Sequence, residues 1–170
     1  MTFDYTNVLR DHFLEPFREI FRQQFIAIKM YMDNDFQERG SKWLNLNTLV
    51  EDNMDMRSNG QIREYSATLR YYQHLRPERD RDWYKVMTNT AEKMKRLIGN
   101  NSNFTVLGTW VNEGGTWGET STVWSADRDT YCWHDLKTSI NYNPDRGEAE
   151  EDKKLAIIEF GLTFKIEEVY

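Results

Sequence analysis

The amino-acid sequence predicts an α+β domain: a mainly antiparallel β-sheet with two main helices packed on one of its faces. Three observations carry this expectation. Apolar residues recur at three- and four-residue spacing near 6–24 and again near 83–98, as they do on one face of a helix. They alternate at period two over 63–74 and 158–169, as they do on a half-buried strand. The elements come in the order helix, strands, helix, strands.

Each element has its own reason. Val8, Leu9, Phe13, Phe17, Ile20 and Phe21 form one apolar stripe, with Asp4 or Thr6 as an N-cap. Pro16 lacks an N–H and predicts a kink or a division into two helices. Phe25–Met32 has apolar residues at every even position and predicts a strand, closed by the turn Asp33-Asn34-Asp35. Trp43–Glu51 alternates, with Leu44 and Leu46 on one face, and Asn53–Gly60 is polar and predicts a turn around Asn59-Gly60. Arg63–His74 is the clearest strand, with Tyr65, Ala67, Leu69 and Tyr71 on one face. The two strands read as an antiparallel hairpin. Asp82 is placed to cap a helix over Trp83–Ile98, whose inward face is Trp83, Val86, Met87, Thr90, Met94, Leu97 and Ile98. Glu92 and Arg96 are spaced to pair on it. Gly99 is placed to end it in a left-handed cap. Phe104–Val111, Tyr131–Tyr142 and Leu155–Val169 are further strands. The segment 114–129 is expected to be a mobile insertion, and 143–154 an acidic loop.

Composition narrows the function. The 170 residues make one domain, 1–170. Hydrophobic residues are 39% and aromatic residues 14%, too many bulky groups for a disordered chain. One Cys excludes an internal disulfide framework. No stretch approaches the roughly 20 apolar residues of a membrane span. The start Met1-Thr2-Phe3-Asp4 has no signal-peptide pattern, so synthesis in the cytoplasm is expected. The net charge of −6 argues against a general DNA-coating role.

Candidates for chemistry are few. His12, His74 and His134 stand apart from any second ligand at metal spacing. Cys132 and His134 share a face at i,i+2, but no third orienting group accompanies them. Asp33, Asp35, Asp52 and Asp55 lack the calcium-loop pattern. No catalytic residue, cofactor or metal is expected. Trp110, Trp117, Trp124 and Trp133 leave three readings open: sheet core, subunit interface, or a stacking surface for sugars or bases. Trp110, Trp117 and Trp124, with Arg57 and Arg63, are the candidate interface residues.

The helix leading into Phe25–Met32, the strand pair Trp43–Val50 and Gln61–Tyr72, the single helix Trp83–Ile98 and the closing strand Ala156–Val169 resemble the tail-terminator and neck (tail-completion) proteins of tailed bacteriophages. The resemblance covers most of the chain and lies in element order and size. It implies a non-enzymatic structural protein that assembles in the host cytoplasm and ends in the virion. Its copies would form a ring, commonly a hexamer, between the tail-tube protein and the head-closure connector. DNA would pass through without specific binding, and Glu148, Glu150, Glu151 and Asp152 would line that channel. A head–tail adaptor is the neighbouring reading. A binding module for carbohydrate or single-stranded nucleic acid, or a small hydrolase or nuclease using the Asp/Glu-rich turns or Cys132 and His134, are the readings from other classes.

Overall fold

Pro16 sets the form of the first helix, because it has no N–H to give the carbonyl four residues back. In the computed structural model, which describes residues 9–32, 39–58, 60–75, 82–102, 104–107, 130–142 and 155–169, the preceding turn Arg10–Leu14 is π-helical and runs directly into α1, Glu15–Gln24. The Glu15 N–H reaches back five residues to the Arg10 carbonyl. Pro16 then lies in the first turn of α1, where a missing donor is tolerated. Leu14 and Glu15 keep helical dihedrals. The expected break is taken up as one wide turn, and the helix stays continuous. Asp4 and Thr6 lie outside the described residues.

The strand expected over Phe25–Met32 contracts to β1, Met30–Tyr31. The Phe25 N–H donates to the Phe21 carbonyl and the Ile28 N–H to the Phe25 carbonyl, each at 2.8 Å. The helix therefore unwinds through residues that alternation alone would place in a strand. Ile28 and Met30 are buried, but Ile26 is 86% exposed. The turn at Asp33-Asn34-Asp35 falls outside the described residues.

β2 (Lys42–Arg57), β3 (Gly60–His74), β4 (Phe104–Leu107), β5 (Thr130–Tyr142) and β6 (Leu155–Val169) join β1 in one sheet. Among the described residues its order is β1-β2-β3-β6-β5-β4. β1 runs parallel to β2, and the other neighbours are antiparallel. The polar stretch Asn53–Arg57, expected as a turn, is strand. Arg57 pairs with Gly60, so the hairpin closes between these two residues. Register shifts at Asn47/Val50 and Glu51/Asn53 let β2 carry this polar sequence as a bulged strand.

One face of the sheet is apolar. Leu44 and Leu46, Tyr65 to Tyr71 at alternate positions, Ile158 to Ile166 at alternate positions, and Trp133 and Leu136 are all buried on it. Phe13, Phe17, Ile20 and Phe21 from the first helix, and Met87, Ala91, Met94 and Ile98 from α2 (Trp83–Asn100), complete the same core. Phe13 stacks on Phe164 at 3.5 Å between centroids and meets Trp133 edge-on at 5.0 Å. Leu136 faces inward because β5 is irregular between His134 and Lys137, where Asp135 takes φ 54. The predicted fold class is the observed one: helices on one face of a mainly antiparallel sheet.

α2 differs from its expected form in three details. Asp82 precedes it, but its side chain makes no capping bond; the Asp82 carbonyl accepts from Lys85 at 2.9 Å instead. Val86 is 44% exposed, and Ala91 takes the inward place. Gly99 is helical rather than a left-handed cap, because Asn101 ends the helix: its N–H reaches the Ile98 carbonyl at 3.1 Å and its Nδ2 the Leu97 carbonyl at 2.8 Å. The expected Glu92–Arg96 pair forms, at 3.0 Å.

The opposite face is polar over most of its area. At one end it holds a second small core of Trp43, Tyr72, Leu155 and Ile157. Trp43 stacks on Tyr72 with centroids 5.0 Å apart.

Candidate functional site: the uncovered margin of the sheet

β1 covers β2 only at Leu44 and Asn45. From Leu46 to Arg57, among the described residues, no strand pairs with that side of β2. A sheet edge of this length is a place where another strand can add. Its side chains add apolar area: Leu49, Val50, Met54 and Met56 are 36%, 45%, 50% and 63% exposed. Met54 lies opposite Arg63 and Met56 opposite Gln61, which puts both on the helix-bearing face. Among the described residues, the helices pack on that face over β5 and β6 and do not reach the distal end of β2. The exposed carboxylates Glu51, Asp52 and Asp55 share this margin.

The margin is anchored to the core through Tyr65. Its hydroxyl donates to Glu51 Oε2 at 2.8 Å. Burial pushes the Tyr65 pKa up to about 12, so the phenol remains a donor at neutral pH. Tyr71, also buried, is raised to about 12 by the same cause.

Two other concavities bear on function. On the polar face, a shallow hollow of about 450 Å³ is lined by Ser66, Thr68, Lys137, Ser139, Gly161 and Thr163. A Cβ at Gly161 would come within 2.7 Å of Ser139 Oγ, so glycine keeps β5 and β6 close there. Ion pairs Arg70–Glu159 at 2.7 Å and Lys165–Glu64 at 2.9 Å span the strands on this face. Burial opposes the charge on Arg70, but Glu159 and Tyr72 outweigh it and raise its pKa. Hydroxyls and one ammonium suit hydrogen bonding to a polar surface rather than bond-breaking chemistry. The second concavity, about 870 Å³, lies between α1 and β1 and includes Arg18, Arg22, Ile26, Lys29 and Tyr31. Arg22 there is paired with Glu19 at 2.6 Å, and that bond is the main reason the Glu19 pKa is lowered.

Of the residues singled out in the sequence, Arg57 and Arg63 fall at the margin. Arg57 closes β2 opposite Gly60, and Arg63 sits on β3 between Met54 and Ile166. Trp110, Trp117 and Trp124, and Glu148, Glu150, Glu151 and Asp152, lie outside the described residues. Trp133 takes the core reading: it is buried and donates its Nε1–H to the Asn101 carbonyl at 2.8 Å. Cys132 stands opposite Glu167 in the β5–β6 register. His134 has carboxylate neighbours, Asp135 at 3.5 Å and Glu167 at 3.7 Å. Among the described residues no three His, Cys, Asp or Glu side chains gather as metal ligands, and no helix is long and apolar enough to cross a membrane. Sequence reasoning missed Leu49, Val50, Met54 and Met56. The alternation Met54-Asp55-Met56 was their only signal.

No family model and no curated protein matches the chain.

Proposed function

We propose that the protein is a structural protein of the tailed-phage neck, a tail terminator whose copies form a ring between the tail tube and the head connector. The observation that carries this reading is the uncovered margin of β2. Among the described residues the rest of the core is closed by the helices, while this edge exposes four large apolar side chains at once. A subunit that buries such an edge against its neighbours is stable as an assembly and liable to associate when alone. The element order agrees with the resemblance: one helix, a long hairpin, one helix, closing strands. Assembly and contact with the tube account for the molecule without a catalytic step.

Light scattering coupled to size-exclusion chromatography, with negative-stain microscopy, tests the proposal across a concentration series and with tail-tube rings added. Rings, free or seated on tube ends, are the expected result. A monomer at every concentration that also ignores the tube would refute it.

A further inference from the structure

We propose that Cys132, His134 and Glu167 form a binding site for a divalent cation of the Zn²⁺ class, on the polar face of the sheet where β5 meets β6. The site goes beyond the neck reading and does not depend on it.

His134 gives the first argument. Its Nε2 is buried and makes no hydrogen bond among the described residues. Glu167 Oε2 stands 3.7 Å away, beyond the roughly 3.2 Å of an N–H···O bond. Two donors on one tetrahedral Zn²⁺, each about 2.0–2.2 Å from it, stand about 3.3–3.6 Å apart. The His134–Glu167 gap is therefore close to a ligand separation and too wide for a hydrogen bond. A cation between them would satisfy a buried ring nitrogen that is costly to leave without a partner.

The other ring nitrogen gives the second. Nδ1 faces Asp135 Oδ2 at 3.5 Å. A carboxylate on the far nitrogen holds the ring and its tautomer, so that Nε2 presents its lone pair to a metal. Asp135 reaches this place because β5 is irregular after His134 and Asp135 takes φ 54. In a regular strand it would fall on the opposite face from His134.

The sheet register gives the third. Cys132 pairs with Glu167 across β5 and β6, and alternation puts it on the face that carries His134. Opposed residues on one face lie about 4.5–5.5 Å apart at Cβ, within reach of a shared cation. The set is then one thiolate, one imidazole and one carboxylate, with Asp135 behind the imidazole. Sulfur and nitrogen together select zinc over calcium or magnesium, which take oxygen. Lys165, beside His134 in the register, has its ammonium on Glu64 of β3 at 2.9 Å, on the flank of β6 away from β5. Three protein ligands leave a fourth position for water. Sequence spacing alone does not find this set, because only the pairing of β5 with β6 brings Glu167 to Cys132 and His134.

The test uses the full chain, stripped with a chelator and kept reduced, titrated with Zn²⁺ by calorimetry and with Co²⁺ by absorption spectroscopy. One cation per chain is expected, and cobalt is expected to show a thiolate charge-transfer band in the near ultraviolet. Cys132→Ser, His134→Gln and Glu167→Gln are each expected to weaken Zn²⁺ binding by at least about 10-fold, and Asp135→Asn, a change that a positive φ tolerates, by about 10-fold. His74→Gln should leave binding unchanged. Circular dichroism checks that each variant folds, and the cobalt spectrum of the unaltered chain tests the thiolate even where a variant does not. No binding of Zn²⁺, binding without a thiolate band, or full affinity in the Glu167→Gln variant would each overturn the site. Loss of binding in His74→Gln would overturn it too. All of these results leave the ring reading standing, since that is read by light scattering.

Discussion

β6 and β2 are strands of nearly equal length, 15 and 16 residues, in the same sheet, and they meet opposite fates. β6 is paired along its whole length by β3, and by β5 over most of it. Its alternate residues from Ile158 to Ile166 are at most 2% exposed. Among the described residues, β2 is paired along one side apart from two register shifts and at two residues on the other. Its Met54 and Met56 stand half or more in water. A strand in the middle of a sheet is fixed by the chain's own packing. A strand at its margin keeps a side that no described strand completes.

The sharpest way to break this contrast is at β6. Phe164 lies under Phe13, beside Tyr65, and is 2% exposed. Phe164→Ala is expected to lower unfolding stability by about 3–5 kcal/mol, read by urea denaturation monitored by tryptophan fluorescence. A loss below about 1 kcal/mol would mean that the helices do not close on β6 as described.

What was legible in the sequence divides along the same line. β6 and β3 could be read because burial on one face enforces alternation, and α2 because its stripe repeats at helical spacing. The distal half of β2 could not, because its residues answer to water rather than to a core. Asn53, Asp55 and Ser58 look like turn chemistry when no core selects against them. β1 was overextended for a related reason: a short apolar run fits a strand or a helix end equally well, and the hydrogen bond from Ile28 to Phe25 decided it. Pro16 signalled a disturbance correctly, but its form as a π-turn depends on hydrogen bonds that composition does not show. Gly99 was read as a stop, yet the amide of Asn101 performs that task two residues later. Of the candidate interface residues, Arg57 and Arg63 reached the margin for a reason the sequence showed only in part: they flank the hairpin turn, and the turn lies at its distal end.

A weaker perturbation uses the tyrosines that link the two regions. Tyr65 and Tyr71 are buried, and each is raised from 10.0 to about 12. Below pH 10 both phenols are protonated in the folded and the unfolded chain. Between pH 10 and about 12 the unfolded chain loses these protons while the folded chain keeps them, so stability falls as pH rises. The expected loss, discounted for solvent screening, is on the order of 1 kcal/mol for each tyrosine by pH 12, measured by denaturant unfolding from pH 9 upward. Tyr65→Phe and Tyr71→Phe should each flatten the decline. An unchanged slope in both would show that these rings are wetter than their burial implies.

The smallest expected effect on folding is the most informative about function. Met54→Glu/Met56→Glu adds two carboxylates to a surface already half open to water, so little buried apolar area is lost within the chain. Substitutions of this kind change unfolding stability by about 0.5 kcal/mol or less. The same change adds charge to a margin that already holds Glu51, Asp52 and Asp55 and removes its two most exposed methionines. Assembly should then fail while the melting curve of the dilute protein stays in place. Had the two methionines been packed against their own chain, stability and assembly would fall together, and β2 would be an ordinary strand. Only the separated result, an intact monomer that cannot associate, fits a strand completed by another subunit.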